Sequence, residues 1–510
     1  MTYREEPALT IWLCLAVTAI VLGSPVQFGY NMGVINAPID VIKNYYQSRY
    51  QETYGYSISE NLLRWCWGLT VGLYAIGGMF GSVISGILAD TIGRKPALML
   101  NNCVVIVAGI MMFAAKYIKS FPVMLLFMVL GRFAVGCNAG ANTIVAPMYT
   151  AEIAPVHLRG TLGTLFQFGV VLSLVTAQFL GMSSQLGNEE NWNILLGIVV
   201  LPAGFQAVAL SFCPDSPSYY LINRKDIGAA KRAICKFFGR AYIEMAISEI
   251  RAEDRQDKQE GQMSLHELLT NKVYREPLQI AFILPIAQQL SGINAVNFYS
   301  VKIFETAGLT DFEARWGSIG TGVSQFLMIM PAIFLMDRAG RRTLLLYGVW
   351  GMGLCSGLVV IFTIVSATYP VFKWAQLASV FGIMGSFSMG PGPIPWLITA
   401  ELFTQGARST AMSIAGAINW IMTFFVGLVF ESIMKVLDYY TFTIFVILDY
   451  MFWLFVFLKV PETKNRCIED IVQSFRNKVR KKHLKKVHPR RRHSPMRTVE
   501  EDLMDSEYMS

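Results

Sequence analysis

A chain of 510 residues that is 54% hydrophobic, only 15% charged and of formal net charge +8 has too few charges for a water-soluble surface, where about 25% is usual. This composition excludes an ordinary soluble enzyme or nucleic-acid binder and makes lipid the expected surroundings. The eight cysteines fall mostly in or beside apolar runs and show no CxxC spacing, so no disulfide framework, metal site or cofactor is expected.

The amino terminus, MTYREEPALT, has little basic charge, and no small-residue cleavage site closes the apolar run behind it. That run is therefore expected to be retained as a span. Apolar runs occur at 11–35, 65–89, 97–115, 123–146, 161–181 and 192–213, then at 278–300, 316–336, 343–368, 374–400, 410–430 and 441–458. Each approaches or exceeds the roughly 20 residues that cross a bilayer as a helix. Backbone groups in hydrocarbon are satisfied only in helices or closed barrels, so the predicted fold is an all-α membrane protein with twelve transmembrane helices. Basic residues concentrate in the 214–277 segment and beyond the last run, which places both termini in the cytosol. Residues 476–497 hold eleven basic side chains and no acid, a stretch suited either to anionic lipids at the membrane surface or to solvation as a free tail.

Three motifs recur in the same order at nearly the same offset. Asp90-Thr-Ile-Gly93-Arg94-Lys95 follows the second run and Asp337-Arg-Ala-Gly340-Arg341-Arg342 the eighth; Ala151-Glu152 is matched by Ala400-Glu401, and Pro214-Asp215 by Pro461-Glu462. Such duplication is the mark of a transporter built from parallel repeats. The expected units are an N-terminal six-helix bundle at 1–213, a cytosolic helical linker at 214–277, a C-terminal six-helix bundle at 278–460 and a cytosolic polybasic tail at 461–510. Gly93 and Gly340 permit tight turns, and the adjoining Arg94, Arg341 and Arg342 can reach Glu152 or Glu401 on neighbouring helices. With Arg159 and Arg408 further on, these residues form a predicted cytosolic gate.

Several further motifs carry a family resemblance. They are Gln27-Phe-Gly-Tyr-Asn31 followed by Gly33-Val-Ile-Asn-Ala-Pro38, Gly131-Arg132-Phe133, Pro147-Met-Tyr149, Gln288-Gln289-Leu-Ser-Gly-Ile-Asn294, Gly390-Pro-Gly-Pro-Ile-Pro-Trp396 and Pro461-Glu-Thr463. From about Leu22 to Glu469 the chain resembles the facilitative hexose transporters, the sugar-porter branch of the major facilitator superfamily. The resemblance implies two pseudo-symmetric six-helix bundles, alternating access, a sugar site midway across the plasma membrane and no bond chemistry. No P-loop, HExxH or Ser-His-Asp spacing argues for an enzyme.

A hexose offers neutral hydroxyls that donate and accept, and amides match both functions without charge. Amides at membrane depth are Gln167 and Gln178 in the fifth run, Gln288, Gln289, Asn294 and Asn297 in the seventh, Gln325 in the eighth and Asn419 in the eleventh. On an ideal helix Gln288 and Asn294 stand about 240° apart, so a break at Ser291-Gly292 is expected between them. Pro391, Pro393 and Pro395 should break the tenth span as well. Trp396 offers a flat apolar face and one N–H, at a position the family associates with glucose. The predicted substrate-binding set is Gln167, Gln288, Gln289, Asn294, Gln325, Trp396 and Asn419, with Tyr299 as a gating residue of the seventh span.

Departures from the family pattern bear on selectivity. Pro285-Ile286-Ala287 replaces the Gln-Leu-Ser of glucose-selective members, which leaves room for fructose besides D-glucose. Ser388 stands where many members have a glutamate, and Asn297 where an aromatic is usual. Asn31 occupies the place of the aspartate found in proton-coupled relatives, and an amide cannot titrate, so facilitated uniport is the expected mode. Within the proposed spans only Arg132 and Asp449 are ionisable. Asp449 keeps a sugar–proton symporter as an alternative, and the basic tail keeps a non-transporting sugar sensor as another.

Overall fold

The computed structural model describes residues 10–155, 159–260, 263, 265–403, 405–464 and 471–477. Among them every regular element is helical. The first half comprises α1 (Ile11–Gly33), α2 (Ile39–Tyr54), α3 (Glu60–Ile92), α4 (Arg94–Ala115), α5 (Phe121–Ile153), α6 (Arg159–Leu180), α7 (Trp192–Gly197) and α8 (Val200–Phe212), the last two sharing one crossing. Three helices follow in the linker: α9 (Ile227–Phe238), α10 (Ile243–Glu260) and α11 (Leu265–Thr270). The second half comprises α12 (Arg275–Leu290), α13 (Ile293–Thr306), α14 (Asp311–Ala339), α15 (Arg341–Ser366), α16 (Lys373–Met389), α17 (Ile394–Glu401), α18 (Gln405–Leu437) and α19 (Thr443–Lys459). Taken pairwise where broken, these make the twelve crossings of a major facilitator fold. Seven of the crossings are long and apolar enough to span a bilayer by length and composition alone.

The helices outrun the apolar segments. α3, α5 and α18 each hold 33 residues, because an apolar run reports lipid thickness while the helix continues into the polar ends. Within the first bundle one helix falls where the sequence shows no apolar run: α2 buries Ile39, Ile42, Tyr46 and Tyr50 along one face and leaves its other face to polar side chains, the amphipathic pattern of a helix lying over a bundle end.

Close packing in the first half rests on small residues, as in other membrane bundles. A Cβ on Gly77 would stand 2.0 Å from the Phe133 carbonyl oxygen, and one on Gly136 2.0 Å from that of Tyr74, so α3 and α5 approach backbone to backbone. Arg132, fully buried on α5, donates to the Asn31 carbonyl at 3.2 Å and the Thr70 carbonyl at 3.3 Å and lies 4.7 Å from the Tyr74 ring centre. It is a structural tie among three helices. Gln27 donates to Asn102 Oδ1 at 3.0 Å and Gln206 Oε1 at 3.1 Å and accepts from Asn138 Nδ2 at 2.9 Å. The amides in the heart of this bundle are thus bonded to one another.

With an even number of crossings, Thr10 and Lys459 lie at one end, the near end. Ties between the two halves gather at the far end. Asn36 Nδ2 donates to Ser300 Oγ at 2.6 Å and Ser318 Oγ at 3.2 Å, Arg315 Nη1 to the Ala37 carbonyl at 2.7 Å, and Gln178 Nε2 to Thr321 Oγ1 at 3.3 Å. Lys43 pairs with Glu431 at 2.6 Å and Lys435 with Glu60 at 3.1 Å. At mid-depth Trp420 of α18 meets the rings of Phe28 and Tyr74 edge-on. The far end is therefore drawn shut.

Candidate functional site: an amide cluster at two helix breaks

The seventh crossing breaks where expected. α12 ends at Leu290 and α13 begins at Ile293, with Gly292 at φ +90. Its positive φ suits glycine, and a Cβ there would sit 3.1 Å from the Phe445 ring. The break turns α13 relative to α12, and residues that a straight helix would point apart converge. Asn294 Nδ2 donates to Gln289 Oε1, Gln289 Nε2 lies 3.5 Å from Gln288 Oε1, and that same oxygen accepts from Asn419 Nδ2 of α18 at 2.6 Å.

The tenth crossing is likewise interrupted between Met389 and Ile394. Pro391, Pro393 and Pro395 withhold backbone donors, and the carbonyls freed by the break are met from across the bundle: Gln288 Nε2 donates to the Pro391 oxygen at 2.8 Å and the Gly392 oxygen at 2.6 Å. One amide therefore joins both breaks. The result is an uncharged cluster of Gln288, Gln289, Asn294 and Asn419, all buried, able to exchange its mutual bonds for bonds to a polyol.

The other expected residues are carried by α14, α17 and α6. Gln325 is buried on α14 with its Oε1 unpartnered among the described residues. Trp396 is half-buried on α17, just past the proline break. Gln167 is exposed on α6, and no described hydrogen bond joins it to the cluster.

At the near end the repeated motifs assemble twice into one arrangement. Gly93 has φ +110, and a Cβ on it would fall 2.0 Å from Asp215 Oδ2. Asp215 Oδ1 accepts from the Lys95 N–H at 2.9 Å and the Ser216 N–H at 2.7 Å, so the carboxylate caps the start of α4, where helix N–H groups favour a negative charge. Burial pushes the Asp215 carboxyl above the usual carboxylate range, and these N–H groups draw it back. Gly340 has φ +91 with a Cβ position 2.6 Å from Glu462 Oε2. Glu462 accepts from the Arg341 and Arg342 N–H groups at 3.0 and 3.1 Å at the start of α15. Asp215 and Glu462 are absent from the gate as predicted, although their repetition in step with the glycine motifs was the available signal.

The arginine–glutamate pairs also form. Arg94 contacts Glu152 Oε1 through Nε at 3.1 Å and Nη2 at 3.0 Å, and Asp90 through Nη1 at 3.3 Å; the Ser216 hydroxyl donates to the other oxygen of Glu152. Arg341 Nε stands 3.5 Å from Glu401 Oε1. Arg342 departs from expectation: its guanidinium turns to α19, donating to the Phe457 carbonyl at 2.6 Å, because its place one residue further round the helix faces that neighbour. Arg408 is half-buried on α18, and the Arg159 side chain lies outside the described residues. These pairs brace α4 to α5 and α15 to α17 within each half, and they stand formed while the far end is shut.

Three comparisons with known proteins agree with this architecture. The family model described as sugar (and other) transporter matches residues 15–475. The chain belongs to the sugar transporter family. It is 41% identical over 468 residues to the mouse (Mus musculus) solute carrier family 2, facilitated glucose transporter member 4, covering 91% of each chain. It is 39% identical to member 1 from Gallus gallus, covering 92% of this chain and 94% of that one. Among solved structures, the partially occluded inward-open xylose transporter XylE from E. coli superposes with a TM-score of 0.75 at 22% identity, covering 89% of this chain and 99% of that chain. The family is one of membrane transporters, not enzymes.

Two buried polar side chains stand outside the amide cluster. Tyr299 breaks the helical geometry of α13 with φ −135 and ψ 16, donates to the Gly427 carbonyl at 3.0 Å and packs on Phe430, which fixes the far half of the broken crossing against α18. Asp449 of α19 is 1% exposed, and neither carboxylate oxygen has a hydrogen-bond partner among the described residues. The polybasic stretch beyond 477 lies outside the described residues.

Proposed function

We propose that this chain is a facilitative uniporter of hexoses, chiefly D-glucose with room for fructose, working by alternating access in the plasma membrane. The observation that carries the reading is the uncharged amide cluster of Gln288, Gln289, Asn294 and Asn419 at the junction of two broken helices. Its chemistry matches neutral hydroxyls and supplies no counter-charge to offset the desolvation of an ion, so it favours a polyol over a charged solute. Gln167, Gln325 and Trp396 are assigned to the same substrate path. The relatives named as facilitated glucose transporters support this choice of substrate.

The working units are taken as 1–213, 214–277, 278–460 and 461–510, with both termini and the linker in the cytosol and the basic tail on anionic lipid. In that orientation the shut far end faces outward, and Gly93, Arg94, Glu152, Arg159, Arg341, Arg342, Glu401 and Arg408 belong to the cytosolic gate. Tyr299 and the proline break are the hinges of the moving crossings. Asn31 cannot titrate, which favours uniport, whereas the unpartnered Asp449 favours proton coupling as a second reading. Labelled glucose should enter sealed proteoliposomes until the inside and outside concentrations are equal, with or without a pH gradient. Accumulation driven by an inward proton gradient would establish the symporter instead, and no entry at all would leave only a sensor.

A further inference from the structure

One polar side chain of α13 belongs to neither of the bonded layers that flank it. Asn294, in the first turn of α13, is tied into the amide cluster. Ser300, two turns on, is tied to Ser318 and Asn36 in the far-end closure. Asn297 stands three residues from each, one helical turn beyond Asn294 and on the Asn294 side of the break at Tyr299. It is 1% exposed, and neither its Oδ1 nor its Nδ2 has a hydrogen-bond partner among the described residues.

The register of α13 on α14 shows what else lies at this level. A short turn joins the two helices, so they run antiparallel, and Ser300 Oγ is 2.8 Å from Ser318 Oγ. Toward mid-depth from that bond, α14 carries Thr321 one turn on and Gln325 at the next, while on α13 Asn297 is the nearest polar side chain beyond the Tyr299 break. Gln178 of α6 reaches the same level by donating to Thr321 Oγ1 at 3.3 Å. Its own Oε1, like that of Gln325, is buried without a hydrogen-bond partner among the described residues. Three amides with unmet hydrogen-bonding atoms thus share one zone between the cluster and the closure.

Buried amide atoms are nearly always paired in folded proteins, because leaving them bare is costly. Their neutral mix of donors and acceptors suits a hydroxyl. We propose that Asn297 is a specificity-determining residue, whose amide takes one hydroxyl of a hexose held by the Asn294 cluster, at the end of the sugar directed toward the far closure, with Gln178 beside it. This inference rests on the hexose-carrier reading. A sugar bearing that hydroxyl satisfies the amide as the far end shuts around it; an analogue lacking it leaves the amide bare in a closed wall.

The test is competition of labelled-glucose uptake into proteoliposomes by glucose and each of its monodeoxy analogues, for the wild type, Asn297→Leu and Asn297→Ser. For the wild type, removing the hydroxyl that Asn297 reads should weaken competition about tenfold relative to glucose, the scale of one buried hydrogen bond. In Asn297→Leu that one ratio should fall toward unity while the ratios at other ring positions keep their wild-type values. A purely structural role would move every analogue by a common factor, and that result, or a pattern identical to the wild type, overturns the assignment. Should Asn297→Leu not fold, Asn297→Ser must narrow the same single ratio, and failure to do so overturns it equally. A wild type that carries no hexose refutes the carrier reading itself, whereas a wild type that carries glucose with an unaltered pattern in the variants refutes only the role of Asn297.

Discussion

Replacing Gly93 by alanine should be among the most damaging single-methyl changes in the protein. Its backbone, at φ +110 and ψ 161, lies in a region almost closed to other residues, at a strain of about 1–3 kcal/mol. The new Cβ would stand 2.0 Å from Asp215 Oδ2, so the carboxylate must leave its place. Doing so gives up the charge-assisted bonds to the Lys95 and Ser216 N–H groups, each of a kind worth about 1.5–3 kcal/mol. The combined loss is about 3–5 kcal/mol once the displaced carboxylate regains water. Gly55 is the control: it too has positive φ, at +80, but nothing lies within 4 Å of its Cβ position, so Gly55→Ala should cost only about 1 kcal/mol. The assay is thermal and denaturant unfolding of the purified protein in detergent for Gly93→Ala, Gly55→Ala, Asp215→Ala and the double variant Gly93→Ala/Asp215→Ala. The double variant should be scarcely worse than Gly93→Ala, since both changes remove the same cap. Equal, mild effects of Gly93→Ala and Gly55→Ala, or fully additive losses in the double variant, would refute the reasoning.

Other consequences are open to measurement. Arg94→Ala leaves the Glu152 carboxylate without its main partner at 18% side-chain exposure and should destabilise by about 2–3 kcal/mol; adding Glu152→Gln should recover part of that, and no recovery in unfolding experiments would contradict a pairing role. The cross-bundle pair Lys43–Glu431, with side chains 16% and 19% exposed, should show a coupling of about 1 kcal/mol in a double-mutant cycle read by far-end accessibility to a thiol reagent. High salt should weaken it less than Lys435–Glu60, whose side chains are 49% and 81% exposed. Asp449→Asn should leave the rate and the pH response of glucose uptake unchanged in a uniporter, and loss of proton-driven accumulation in that variant would identify Asp449 as a proton carrier.

Much of this protein can be read from its sequence, and what cannot has physical causes. Twelve crossings were legible because the bilayer imposes a minimum apolar length. The two helix breaks were legible because Ser291-Gly292 and the Pro391–Pro395 run cannot sustain a regular helix in company with the residues around them. The convergence of Gln288, Gln289 and Asn294 followed from requiring a break, but the bond from Asn419 and the two carbonyls taken by Gln288 depend on how α12, α16, α17 and α18 pack, which no local pattern encodes. The same holds for Arg342: adjacent arginines look equivalent in sequence, yet one step along a helix turns a side chain about 100° and sends it to a different neighbour. α2 escaped notice because its alternation of buried and polar positions gives no long apolar run. Asp215 and Glu462 escaped because a repeat shows that residues correspond, not that they touch.

Equilibrium binding and counterflow of labelled glucose, compared between the wild type and Asn294→Ala at matched amounts of folded protein, test the amide cluster most directly. The account predicts that the wild type binds and exchanges glucose and that Asn294→Ala loses binding by about tenfold or more with its unfolding midpoint little changed. A folded Asn294→Ala that binds and exchanges glucose as the wild type does would contradict it.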